Sequence, residues 1–191
     1  MLDWMMPIFK VQQVVLLTNR IDIDAFIVLD QITSDDAFDL VEQINHTEIA
    51  KNTLYIPFPY RLSDATLWIN GVSEKREQLG YPTNWTIRYG GKLVGGIGLQ
   101  HSDPRSDKDE VGYWLGPDCW GKGIMTRVLN GFVSEVFNKS KIEILEAPVF
   151  IQNYASQRVL EKCGFEKIKI VKNAYEKDGR LVDAILYSIN G

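Results

Sequence analysis

EVGYWLGPDCWGKGIMT, residues Glu110 to Thr126, is the stretch from which the fold is argued. Val111, Tyr113 and Leu115 alternate with Glu110, Gly112 and Trp114, the two-residue period of a strand. Gly116-Pro117 ends it. Beyond a short turn, Met125, Val128, Leu129, Phe132, Val133 and Val136 recur at helical spacing, so the order is strand, glycine-containing loop, helix. Gly121 and Gly123 fall where the helix opens. Glycine lets backbone amides approach a ligand closely, and a helix N-terminus carries unpaired N–H groups and a partial positive charge. Together they form a seat for a phosphate.

A glycine turn before a helix has other readings. Gly116 to Lys122 fits GxxxxGK, but the next position of a nucleoside-triphosphate loop is a Ser or Thr that binds magnesium, and here it is Gly123. Gly96-Ile97-Gly98 begins a dinucleotide fingerprint, yet His101 stands where its third glycine belongs and a loop follows. The dinucleotide reading is discarded; a nucleotide-binding protein, against which Gly123 argues, would show magnesium-dependent ATP binding.

Glu143 to Val149 reads as a further strand and is followed by NYASQRVLEKCGF, Asn153 to Phe165. A strand-WGKGI-helix unit followed by strand-NxxSxRVLEKxGF resembles the GNAT superfamily of N-acetyltransferases. Within it the chain looks most like the RimJ/RimL-like branch, the ribosomal-protein N-terminal acetyltransferases. The resemblance spans about residues 24–189. It implies a mixed α/β fold with a mostly antiparallel central sheet, one parallel strand pair and helices on both faces. The expected organisation is an N-terminal extension with a first strand over residues 1–22 and a single acetyltransferase domain over 23–191.

The whole chain fits this expectation. Its 191 residues suffice for one well-cored domain, with 45% apolar and 24% charged residues and no low-complexity tract. A net charge of −4 gives no chain-wide basic field for nucleic acid. Two cysteines, Cys119 and Cys163, are too few for a disulfide framework, and no Cys/His cluster points to a metal. The N-terminal stretch lacks signal-peptide order and is interrupted by Asp3 and Lys10. A cytoplasmic protein without membrane attachment, monomer or homodimer, is expected.

Along the chain, strands are expected at Val11–Leu17 and Ile23–Ile32 with a hairpin at Thr18-Asn19-Arg20. A helix capped by Ser34-Asp35-Asp36 follows, then an irregular aromatic loop from His46 to Arg61, in which Tyr55, Phe58 and Tyr60 line a pocket or close a core edge. Leu62, Ala65, Ile69 and Val72 form the buried stripe of a second helix ended by Gly80. Hairpins are expected at 84–100 and 167–189, turning at Gly90-Gly91 and at Lys177-Asp178-Gly179. Ala155, Val159, Leu160 and Cys163 are the expected buried side of the helix opened by Asn153.

The resemblance implies acetyl-CoA as cosubstrate, with its pyrophosphate gripped by the loop residues Trp120, Gly121, Lys122, Gly123, Ile124 and Thr126, and no metal. Asp118 departs from the Gln or Arg common in the family and is expected to point away. Glu110 is the candidate base, acting through a water; the alternative is a solvated strand-end carboxylate. His46 and His101 are weaker candidates. Backbone N–H groups of Trp114 or Leu115, left free if the parallel strands splay, are the candidate oxyanion donors. Leu160 stands where most of the superfamily places a tyrosine acid. The branch resemblance gives that role to Ser156, with Asn153 bonding the pantetheine arm; the alternatives are a helix N-cap for Asn153 and a first-turn polar residue for Ser156. Tyr60 and Trp85 are the candidate acceptor-binding residues. A transferase acting on a protein N-terminus or small amine is expected, the rival being a non-catalytic acyl-CoA-binding module.

Overall fold

The computed structural model describes residues 17–100 and 106–191. Strands β1 (Ile21–Asp22) and β2 (Ile27–Asp30) lead to helices α1 (Ala37–Ile44), α2 (Thr47–Asn52) and α3 (Leu62–Leu79). Strands β3 (Asn84–Tyr89), β4 (Lys92–Leu99) and β5 (Lys108–Leu115) follow, then α4 (Ile124–Lys139), β6 (Ile144–Phe150), α5 (Tyr154–Lys162), β7 (Glu166–Lys177) and β8 (Arg180–Asn190). The eight strands form one sheet in the order β1-β2-β3-β4-β5-β6-β8-β7. Every neighbouring pair is antiparallel except β5 and β6, which α4 connects as a parallel crossover.

Helices cover both faces because the apolar pattern of each strand supplies two sides. Val111 packs in the larger core with Val128, Leu129, Phe132 and Val136 of α4 and Leu160 of α5. Phe132 meets the Trp85 indole edge-on at 5.2 Å, and that indole donates to the Thr18 carbonyl at 2.9 Å. On the other face a smaller cluster of Leu40, Ile44, Ile49, Tyr60, Ala65 and Ile69 packs α1, α2 and α3 together, with Trp114 against it. Arg88 fastens this layer to the sheet. Its guanidinium bonds both Asp30 oxygens at 2.7 and 2.8 Å and both Asp36 oxygens at 2.9 and 3.0 Å, joining β3, β2 and the turn before α1.

Several expectations are corrected. The expected strand Ile23–Ile32 is interrupted by a turn at 23–26 between β1 and β2, where the Asp24 carboxylate accepts the N–H groups of Phe26 and Ile27 at 2.8 and 2.9 Å, local bonds that outcompete strand pairing. Its expected partner strand lies, except for Leu17, outside the described residues, as does His101. Thr47–Asn52 is helical rather than irregular, started by His46, whose Nδ1 accepts the Glu48 N–H at 3.3 Å. In α3 only Ala65 and Ile69 are buried, and Leu62 is exposed. Ala155 of α5 is also exposed.

The feature that positions the site is an opening in the sheet. Beyond Lys108, Asp109 and Glu110, paired with Ile144, Leu145 and Glu146, no further β5–β6 pairs form, although both strands continue. Pro148 supplies a cause. The bonds of Gly191 N–H to Glu143 O and of Ile151 N–H to Asp183 O turn the odd-numbered β6 residues toward β8. Even-numbered Pro148 therefore faces β5, where it has no N–H to give.

Candidate active site

A cleft of about 950 Å³ runs between the α1–α3 layer and the sheet and reaches the β5–β6 opening, with Glu110, Trp114 and Pro148 in its lining. Its floor is flat because Gly96 and Gly98 leave room: a Cβ on Gly96 would come within 2.7 Å of the Trp114 indole nitrogen, and one on Gly98 within 2.6 Å of Asn84 Oδ1. Glu110, Trp114, Asn153, Ser156, Tyr60 and Trp85 all border this cleft. The glycine loop does not; it lies past the end of β5.

Glu110 is half-buried on the α1–α3 face, its backbone N–H bonded to Asp109 Oδ1 at 2.7 Å. Tyr175 lies near it. Burial, and then the negative charge at Glu110 and the Tyr55 phenol, push the Tyr175 hydroxyl above its ordinary range.

The register between β4 and β5 decides which amides are free to act. Gln100 N–H bonds Glu110 O at 3.0 Å and Gly116 N–H bonds Val94 O at 2.7 Å, so the even-numbered residues of β5 turn their backbone groups toward β4. Val111, Tyr113 and Leu115 turn theirs toward the opening. Of the two expected donors, Leu115 is therefore the one aimed there, and the Trp114 N–H belongs to the β4 ladder. The Leu115 carbonyl accepts the Trp120 indole N–H at 2.7 Å. Trp120 in turn meets His46 edge-on at 5.3 Å, so His46 is a helix cap and a packing partner, outside the cleft lining.

In the loop, Gly121 and Gly123 have φ of 73° and 70°, the left-handed region that glycine enters without penalty. Gly123 is the N-cap of α4 and offers no side chain to its first N–H groups. Those groups, with the exposed Gly121, Lys122 and Gly123, offer the N–H donors and positive charge that suit an anion. Ile124 is buried, so only its backbone faces the seat; Thr126 is half-buried one turn on. Asp118 is exposed.

Asn153 caps α5, its Oδ1 accepting the Ser156 N–H at 3.1 Å. The Ser156 hydroxyl lies 2.9 Å from the Tyr113 hydroxyl, a partner that arrives from β5. Tyr113 is held neutral: burial drives its pKa far above the usual phenol range, only partly opposed by the bond to Ser156. Leu160 is fully buried, so α5 has no phenol at that position.

The two acceptor candidates fare differently. Tyr60 is buried in the α1–α3 cluster, with its hydroxyl raised to about 12 by burial and by Asp64. Trp85 borders the cleft, but its indole is 1% exposed and committed to Phe132 and Thr18, which corrects the expectation that this side chain meets a substrate. Tyr55, from the aromatic loop expected to line a pocket or close a core edge, borders the cleft, as do Tyr113, Phe150 and Tyr175, which the sequence did not single out. Strand alternation puts Tyr113 on the same side as Val111, and the packing of α5 on that face brings it to Ser156.

Cys119 and Cys163 are buried thiols whose pKa values rise through burial, so neither is prepared as a nucleophile. Among the described residues no group of three or more His, Cys, Asp or Glu is arranged to hold a metal, and no helix is long and apolar enough to cross a membrane.

Comparison with known proteins bears on the family and the fold. A family model described as an acetyltransferase (GNAT) domain matches residues 27–166. An uncharacterised N-acetyltransferase, p20 of Bacillus licheniformis, is 23% identical over 165 residues, 85% of this chain and 92% of that protein. The uncharacterised N-acetyltransferase YoaA of Bacillus subtilis is 32% identical over 98 residues, 51% of this chain and 55% of that protein. Among solved structures, the microcin C7 self-immunity acetyltransferase MccE with acetyl-CoA and AMP superposes with a TM-score of 0.82 at 23% identity, covering 93% of this chain and 99% of its own. The ribosomal alpha-N-protein acetyltransferase RimL with coenzyme A also gives 0.82, at 17% identity over 90% and 97% of the two chains.

Proposed function

Because the chain belongs to the GNAT acetyltransferase family, whose model spans both of its motifs, we propose that it moves an acetyl group from acetyl-CoA to a primary amine by direct attack in a ternary complex. The observation that carries this reading is the β5–β6 opening, toward which the Leu115 N–H turns and which the cleft bordered by Glu110 and Ser156 reaches. The anion seat at α4 fits the pyrophosphate, and the unpaired side of β5 fits an extended pantetheine arm.

Acetyl-CoA supplies the activated thioester. Glu110, through a water, takes a proton from the incoming ammonium, because only the neutral amine has a lone pair to attack. Leu115 N–H receives the charge that develops on the carbonyl oxygen. As nitrogen bonds the acetyl carbon and the carbon–sulfur bond breaks, the Ser156 hydroxyl gives the departing sulfur a hydrogen bond and a route for its proton. Tyr113 acts one step back. The 2.9 Å contact between the two hydroxyls allows either to donate; in this reading the buried, neutral phenol donates to Ser156 Oγ and leaves the serine proton directed at the cleft.

An α-amine, with a pKa of about 8, needs less assistance than a lysine at about 10.4. RimL acts on a protein α-amine, and a protein N-terminus or a small amine is the acceptor class this site serves. Titration calorimetry with acetyl-CoA, coenzyme A and magnesium-ATP side by side tests the binding half of the reading. The two CoA species are expected to bind and ATP not; ATP binding without CoA binding would overturn it.

A further inference from the structure

The ladder between β7 and β8 contains an irregularity that sequence patterning gave no reason to expect. Val171 pairs with Ala184, but the next pair is Tyr175 with Val182, so Lys172, Asn173 and Ala174 together oppose Asp183. In a regular ladder Asn173 would face Val182. The two extra residues put Tyr175 there instead, replacing an amide by a phenol on that face.

The irregularity is held by specific bonds. Asn173 takes a φ of 50°, and its N–H donates to Asp183 Oδ1 at 2.9 Å. Lys172 Nζ meets Asp183 Oδ2 at 2.6 Å, and the Asp183 carbonyl accepts the Ile151 N–H at 3.1 Å just beyond β6. One residue thus fixes the bulge to the strand that borders the opening. Tyr175 ends half-buried, its ring 6.0 Å from that of Phe150 at 56°, in the wall of the cleft that also contains Glu110 and Tyr55.

We propose that Tyr175, set in place by the Asp183-pinned bulge, forms with Tyr55 and the Glu110 carboxylate an aromatic, acidic seat for the acceptor's ammonium group, and so determines acceptor specificity. A cation over a phenol ring is attracted by the ring's negative face, and a carboxylate beside it adds charge. The seat delivers the ammonium to the group that deprotonates it. Tyr175 is a specificity-determining residue, and Asp183 a positioning residue that acts through it. The inference rests on the transferase reading for the identity of its occupant, but not for the existence of the seat.

The test uses a cation that cannot be acetylated. Tetramethylammonium chloride is titrated into the full-length protein by NMR, with tert-butanol as a neutral probe of similar shape and sodium chloride as the salt control. Saturable binding of tetramethylammonium alone is expected, weakened about fivefold or more in Tyr175→Ala and largely retained in Tyr175→Phe. Asp183→Ala is expected to weaken it in the same direction while leaving acetyl-CoA affinity within about twofold, a selectivity that general loss of structure would not give. No binding, equal binding of tert-butanol, or binding unchanged in both Tyr175→Ala and a Tyr175→Leu replacement overturns the proposal. Because no turnover is read, these outcomes are separate from a failure of acetyl transfer, which an absence of thiol release from every amine would reveal.

Discussion

The bond between the Tyr113 and Ser156 hydroxyls gives a prediction that separates a placed proton donor from a polar residue on a helix. Tyr113→Phe keeps the ring in the core and removes the 2.9 Å bond to the Ser156 hydroxyl together with a long 3.4 Å contact to the Ser156 carbonyl. A bond of this kind contributes about 1 kcal/mol net, and here the low end applies because Ser156 borders the cleft and water can replace the phenol. At about 0.5 kcal/mol, the melting temperature should fall by only about 1–2 °C. The rate effect should be larger. With the phenol gone the serine proton is no longer directed, and a loss of about 1.4 kcal/mol of transition-state stabilisation lowers kcat about tenfold with the acetyl-CoA KM little changed. The decisive assay is a double-mutant cycle of Tyr113→Phe and Ser156→Ala, followed by thiol release at saturating acetyl-CoA. If Tyr113 acts only through Ser156, the double mutant is no slower than Ser156→Ala alone. Multiplying effects, or an unchanged kcat beside a lowered melting temperature, would refute the reasoning.

Three further predictions concern other parts of the site and fold. Glu110→Gln should slow acetylation of an α-amine at neutral pH and approach the parent rate above about pH 8, where the amine is already neutral; a pH–rate profile of both proteins checks this. Gly123→Ala meets open space but forces a side chain into the left-handed region at φ 70°, so it should cost about 1–2 kcal/mol or distort the anion seat, weakening coenzyme A binding about tenfold in calorimetry. The Asp24 carboxyl is lowered, first by the Phe26 N–H, against some opposing burial, with Ile27 N–H and Arg127 assisting. A lowered folded pKa gives stability that is present above the unfolded value, about 3.9, and is lost as the pH falls through the folded one. Melting curves between about pH 5 and pH 2.5 should therefore fall more steeply for the parent than for Asp24→Asn.

Much of this architecture was legible in the sequence because it rests on periodicity. The alternation through Glu110–Leu115, the 3.6-residue stripe from Met125 to Val136 and the glycine hairpins are local patterns with a single good solution. Gly121, Gly123 and Asn153 were legible for the same reason, as backbone and capping positions whose residue types state their geometry. What escaped depended on competition or on distance. Asp24 captures two amides and puts a turn inside the run Ile23–Ile32, whose composition reads as one strand. Trp85 has the composition of a binding residue, yet its fate was decided by Phe132, which is 47 positions away in sequence. Pro148 was visible, but its meaning depends on the β6–β8 register, which sets the side its missing donor faces. The β7 bulge depends on Asp183 across the ladder, a partner no local window contains.

The central claim is that this cleft joins an acetyl thioester to an amine, and thiol release from acetyl-CoA measures that joining most directly. Purified protein would be incubated with acetyl-CoA alone and then with a panel of short peptides bearing free N-termini and of small primary amines, with products identified by mass. The account predicts release above background only when an amine is present, saturable in that amine, with one acetyl group on the nitrogen for each thiol set free. Tight acetyl-CoA binding with no amine-dependent release from any member of the panel would contradict it.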